Sequence, residues 1–281
     1  MKILVYVLIV SLLLSGCVSG HEQTDPTLES IEMTTESAPV TEETLPITEP
    51  TTEATEPTEE TINPNLLEIE AGAYLDQYVA PSGYYLDYYT FIPNQAEKDM
   101  PLIIFLHGDG EIGKINALQN IALIHNAKEI YGDDFPFIAI APCRRQSSWC
   151  EQPAPSLLLA LIEETVDKYQ INRDKIIISG FSSGAMGTWY LITNHTDLFS
   201  AAVPISCPNE YPVLYHNLKN VPIWGLVGEK EDYYKRKMTE IIDRTVESGG
   251  DAKLTIIEGM AHKGMDTAAF TQEVIEWMIE Q

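Results

Sequence analysis

The pattern of apolar and polar positions divides this chain near residue 65. From about residue 66 onward, apolar β-branched runs recur: YYLDYYTFIP (84–93), LIIFLH (102–107), FIAIAP (137–142), KIIISG (175–180), AAVPIS (201–206), PIWGLVG (222–228) and AKLTIIEG (252–259). Runs that are apolar throughout, rather than alternating, mark strands buried on both faces of a sheet. Segments of helical period lie between them. SLLLALIEETVDKY places Leu157, Leu161 and Val166 near one face, YYKRKMTEIIDRTVESGG ends on a glycine stop, and a last helix is predicted over 266–281. Alternating strand and helix predict an α/β domain over 66–281, a mostly parallel sheet with helices on both faces. Chemistry in such a sheet sits at the carboxyl ends of its strands.

Before residue 66 the pattern differs. Lys2 precedes an apolar run from Ile3 to Leu14, followed by small residues. About a dozen apolar residues is too short to be read first as a membrane span and fits a secretory signal over 1–16. Leu14-Ser15-Gly16-Cys17 resembles the bacterial lipoprotein processing site, which implies cleavage before Cys17 and two acyl chains anchoring the protein to the outer face of the membrane; the alternative is a plain cleaved signal. Residues 17–65 then form a Thr/Glu/Pro-rich linker. Between 21 and 65 there are twelve Asp and Glu and no Lys or Arg. Such a stretch buries too little apolar surface to offset its ordering entropy, and extended it could reach roughly 140 Å.

About half of the formal net charge of −25 therefore lies in the linker. It argues against nucleic acid as a partner, because a phosphate-tracking surface needs clustered Lys and Arg.

Two glycine-containing turns follow strands. Gly180-Phe181-Ser182-Ser183-Gly184 is G-x-S-x-G between the strand KIIIS and the helix-like GAMGTWYLIT. That is the setting of a nucleophile elbow, in which the glycines allow a sharp turn and Ser182 stands above the sheet. A serine hydroxyl needs a base. Of the histidines beyond it, His195 lies in a turn-like sequence and His216 comes too early, before PIWGLVG; His262 follows the final strand and is the candidate base. The orienting acid should follow PIWGLVG, where GEKED offers Glu231 by spacing or Asp232 by residue type.

The other turn, Gly108 to Lys114, reads G-x-x-x-x-G-K, close to a phosphate-binding loop. Ile115 stands where the magnesium-binding Ser or Thr belongs, so a nucleotide-binding reading fails there.

These residues resemble the secreted esterase and "predicted peptidase" branch of the α/β-hydrolase superfamily, related to feruloyl and acetylxylan esterases and polyhydroxybutyrate depolymerases. The likeness rests on PLIIFLHGDGEIG, IAIAPCRRQSSW, INRDKIIISGFSSGAMGTWYL, FSAAVPIS, VPIWGLVG and GMAH, with Gly187-Thr188-Trp189 as a more specific sign. It implies the α/β-hydrolase fold and a triad of Ser182, His262 and an acid. An oxyanion hole built from the N–H groups of Ser183 and of Asp109 or Gly110 also follows from it. The chain departs from the group's pattern in Ser-Ser-Gly-Ala-Met at the elbow and LVG before the acid. The expected activity is hydrolysis of esters, carbohydrate-linked acyl esters in particular. A peptidase of the same fold and a non-catalytic surface binding module are the alternatives.

Trp149, on the loop after FIAIAP, is a candidate to stack on the acyl group or a sugar. Cys143 and Cys150 bracket RRQSSW and could form a small disulfide in an oxidising compartment, with Cys207 odd. No C-x-x-C or H-E-x-x-H occurs, so no metal or other cofactor is implied.

Overall fold

The computed structural model describes residues 63–145, 148–210 and 214–281. The expected signal, Cys17 and nearly all of the linker lie outside them. In the described residues eight strands and seven α-helices follow one another: β1 Gly72–Val79, β2 Tyr85–Ile92, β3 Leu102–Leu106, α1 Ala122–Tyr131, β4 Ile138–Cys143, α2 Ala154–Tyr169, β5 Ile176–Phe181, α3 Ser183–Asn194, β6 Ala201–Ile205, α4 Tyr215–Leu218, β7 Ile223–Gly228, α5 Asp232–Glu247, β8 Ala252–Ile257, α6 Met265–Ala268 and α7 Gln272–Glu280. The strands form one sheet in the order β1-β2-β4-β3-β5-β6-β7-β8. β1 and β2 run antiparallel, and β3 to β8 are parallel to one another.

The inner strands are apolar throughout because each feeds two cores. Leu102, Ile104 and Leu106 point to one face, with α2, α3, α4 and α5. Ile103 and Phe105 point to the other, with α1, α6 and α7. The same parity holds in β5, where Ile176 and Ile178 face the first core and Ile177 the second. The period-2 geometry of a strand requires this division.

β1, β8 and the last helix differ from the sequence reading: β8, expected to be buried on both faces, is an edge strand paired only to β7 and partly exposed along its length. β1 was not anticipated. It is an edge strand paired only to β2 and almost wholly exposed, so it carries no apolar run. The last helix is not continuous over 266–281. Thr271 caps a new helix there by accepting a hydrogen bond from the Val274 N–H, and Phe270 between the two pieces is buried. Ser and Thr favour the N-cap because their side-chain oxygen satisfies an orphan N–H.

The strand order reverses at β3, between β4 and β5. Ligand sites of open α/β sheets lie outside the carboxyl ends of strands at such a point. The turns that leave β3 and β5 there are the two glycine-containing turns singled out above.

Candidate active site

Ser182 occupies the turn between β5 and α3 with φ 55° and ψ −121°, a left-handed conformation that non-glycine residues rarely adopt. The flanking glycines make the turn possible. A Cβ on Gly184 would collide with the carbonyl oxygen of Leu106 in β3. One on Gly180 would collide with the Gly184 backbone and lie 2.9 Å from the Thr188 hydroxyl. Because the obstruction at Gly184 is backbone, no rotamer relieves it. Gly184→Ala should therefore cost about 3 kcal/mol or more, a fall in Tm of roughly 6–12 °C for a domain of this size. A thermal melt within 2 °C of the parent would contradict this packing argument.

The Ser182 hydroxyl lies 2.9 Å from His262 Nε2, and His262 Nδ1 lies 2.6 Å from Glu231 Oε1. A carboxylate oxygen accepts, so Nδ1 carries the proton and Nε2 is left to accept from the serine. Phe181 and Tyr234 flank the imidazole, with ring centroids 4.8 and 5.4 Å away. Glu231 immediately precedes α5, and its side chain is 3% exposed. Its second oxygen accepts 2.7 Å hydrogen bonds from the Ser206 hydroxyl and the Gly228 N–H. The carboxylate is thus fixed from behind while it orients the histidine.

Glu231, and not Asp232, joins the cluster. Asp232 begins α5 with its side chain 92% exposed, paired with Lys235. Neither other histidine enters. His195 follows the far end of α3, twelve residues and about 18 Å along the helix from the elbow, and His216 lies in α4.

The turn after β3 stands beside the serine. A Cβ on Gly108 would lie 3.4 Å from Ser182 Cβ. Asp109 opens a short 3₁₀ turn (Asp109–Glu111), and Ser183 opens α3. The first N–H groups of a helix have no partner within it and are free to meet an anion. The Lys114 ammonium folds back to donate to the Gly110 carbonyl at 2.7 Å, so it does not present itself as a phosphate ligand.

A match to the family model of phospholipases and carboxylesterases covers residues 135–276, half of the chain. The chain belongs to this family. It is 22% identical over 170 residues to a bifunctional acetylxylan esterase/xylanase of Neocallimastix patriciarum, covering 59% of this chain and 24% of that protein. It is 27% identical over 130 residues to feruloyl esterase B of Thermothelomyces thermophilus, covering 42% of this chain and 43% of that one. The chain thus spans less than half the length of either relative. Among solved structures, a thermostable esterase superimposes with a TM-score of 0.66 at 26% identity, over 74% of this chain and 63% of that one. The feruloyl esterase module from Clostridium thermocellum shares the fold at 16% identity, with a TM-score of 0.56 over 74% of this chain and 90% of that module.

Two expectations are corrected against the structure of this carboxylesterase-family chain. Trp149 is not a substrate platform. It is 1% exposed, its indole N–H donates to the His107 carbonyl at 3.0 Å, and its β-carbon would lie 2.6 Å from any Cβ placed on Gly187. The glycine of Gly187-Thr188-Trp189 is there to admit Trp149. Cys143 and Cys150 are not joined to each other in a disulfide; both are buried, as is Cys207. Cys143 points into the core shared with α1 and α7, its thiol 3.5 Å from the Glu111 carbonyl, whereas the Cys150 thiol approaches the Met186 carbonyl in α3 at 3.7 Å.

The sequence reading also missed residues that shape the site. Ser206 ends the strand run AAVPIS and supports Glu231, and Arg144 follows β4. A polar residue closing a run of apolar strand at its carboxyl end is the signal that would have found both.

His107 is buried beneath the turn that follows β3. Its Nε2 accepts from the Arg144 N–H at 3.1 Å, and its Nδ1 donates to the Gly108 carbonyl at 2.6 Å, so the ring is neutral. Burial pushes its pKa down to about 4, outweighing the Gly108 hydrogen bond, which acts in the other direction. The unfolded chain takes up this proton near pH 6.5 and the folded chain only near 4. The neutral histidine's contribution to stability is therefore full above pH 6.5. It is lost as pH falls from about 6.5 to about 4, by about 3 kcal/mol in all. A His107→Gln variant should lose stability less steeply than the parent across that window in denaturant titrations. Parallel declines would contradict the assignment.

Proposed function

We propose that this chain is a serine esterase in which Ser182 is the nucleophile, His262 the general base and Glu231 the residue that holds the imidazole. The observation that carries the reading is the unbroken chain of hydrogen bonds from the Ser182 hydroxyl through His262 to a buried, doubly anchored carboxylate. Ser182 attacks the ester carbonyl as its proton passes to His262 Nε2. The tetrahedral oxyanion is met by the N–H groups of Ser183 and of Asp109 or Gly110, each such donor contributing roughly 3–4 kcal/mol in comparable enzymes. The intermediate collapses as His262 returns the proton to the leaving alcohol, and water then hydrolyses the acyl-enzyme by the same route.

The substrate class we propose is a carbohydrate-linked acyl ester. The similarity to an acetylxylan esterase/xylanase and to a feruloyl esterase supports it. We further propose that Cys17 carries a lipid anchor and that residues 18–65 hold the domain away from the membrane. The apolar run and the Leu-Ser-Gly-Cys site support this. Among the described residues no helix is long and apolar enough to cross a membrane.

The test is hydrolysis of acetylated and feruloylated xylo-oligosaccharides beside p-nitrophenyl acetate and a panel of peptides. The reading expects turnover of p-nitrophenyl acetate and of at least one saccharide ester, with kcat/KM higher on the saccharide. Turnover of peptides alone would overturn it in favour of a peptidase. No turnover of any substrate would overturn it in favour of a binding module.

A further inference from the structure

Arg144 is a buried cation in an acidic protein. It follows β4, the sheet neighbour of β3, and its side chain is 0% exposed. Its guanidinium lies 5.7 Å from the Trp149 ring centre. The same guanidinium nitrogen, Nη2, donates to the Asp109 carboxylate and, at 2.8 Å, to the Ser183 hydroxyl. Asp109 and Ser183 lie on different turns, one after β3 and one after β5. The oxyanion is proposed above to meet the Ser183 N–H and the N–H of Asp109 or of its neighbour Gly110.

The backbone of Arg144 grips the same loop. Its N–H donates to His107 Nε2 at 3.1 Å, and its carbonyl accepts from the Gly113 N–H at 3.0 Å, one contact on each side of the Asp109–Glu111 turn. Trp149, beneath the guanidinium, holds the His107 carbonyl. A guanidinium is planar and permanently charged, so it can fix the spacing of two acceptors where a flexible ammonium would not. Burial makes any rearrangement away from these partners unfavourable, because the charge would lose them without regaining water.

We propose that Arg144 is the positioning residue of the oxyanion hole, setting the distance between its two halves by bridging Asp109 and Ser183. The proposal rests on the reading of Ser182 as nucleophile. The bridge acts on an anion that exists only during reaction, so its loss should appear in kcat and spare KM.

The experiment uses Arg144→Met, Asp109→Asn, Ser183→Ala and the double variant Arg144→Met/Asp109→Asn. For each, kcat and KM are measured on p-nitrophenyl acetate, together with inhibition by phenylboronic acid, whose tetrahedral serine adduct places an oxygen where the oxyanion forms. Arg144→Met should lower kcat roughly 10- to 100-fold with KM within about threefold, the scale of a displaced donor. Boronate affinity should fall by a similar factor, and the double variant should be no worse than Arg144→Met alone. A folded Arg144→Met with parental kcat and boronate affinity, or with its loss confined to KM, overturns the proposal. Should Arg144→Met fail to fold, Asp109→Asn, which removes the charge from one arm of the bridge, and Ser183→Ala, which removes the acceptor of the other, decide by the same criteria. Failure of the Ser182 reading looks different: the parent itself would then neither hydrolyse ester nor bind boronate beyond Ser182→Ala.

Discussion

Ser182→Ala is expected to lower kcat for ester hydrolysis by roughly a millionfold, the scale on which serine hydrolases lose activity when the nucleophile is removed. Folding should be almost unaffected. Alanine keeps the Cβ, and the left-handed backbone at 182 is imposed by Gly180, Gly184 and the hydrogen bond from the Ser182 N–H to the Ile205 carbonyl, none of which involves the hydroxyl. Hydrolysis measured at high enzyme concentration, beside a thermal melt, checks both halves. A variant retaining a tenth of the parental rate would remove Ser182 from the mechanism.

Glu231→Ala should lower kcat by about 10⁴, because the imidazole would no longer be held with its proton on Nδ1. It should also destabilise the fold by about 1–3 kcal/mol, since the Gly228 N–H and Ser206 hydroxyl lose their buried acceptor. Asp232→Ala should leave kcat within about twofold. Its exposed contact with Lys235 is of the kind that contributes at most roughly 0.5 kcal/mol. Steady-state kinetics of the two variants side by side discriminate between the carboxylates. The opposite ranking would mean that the acid comes from Asp232 and that the Glu231 hydrogen bonds serve only structure.

The inner sheet was legible because strands such as LIIFL and IIISGF bury side chains on both faces and so read as apolar runs. β1 was not, because an edge strand facing solvent carries no such run. Ser182 and His262 were legible from their places after strands. The choice between Glu231 and Asp232 was open because one residue decides whether a side chain points behind the histidine or into solvent at the start of α5, and periodicity does not resolve that direction. Trp149 and the cysteines were misjudged for the same reason. A loop tryptophan, or a cysteine pair seven residues apart, looks the same in sequence whether it faces solvent or a neighbour's backbone. Arg144 lay within a quoted segment, IAIAPCRRQSSW, yet only the fold puts β4 beside β3 and hence its side chain between Asp109 and Ser183.

In the proposed mechanism Ser182 forms a covalent acyl-enzyme with the help of His262. Peptide mass spectrometry after brief reaction with a fluorophosphonate, which phosphonylates only an activated serine, tests it most directly. One adduct per chain is expected, on the peptide carrying Ser182, lost in His262→Ala as well as in Ser182→Ala. No adduct, or one on another residue that survives Ser182→Ala, would contradict it.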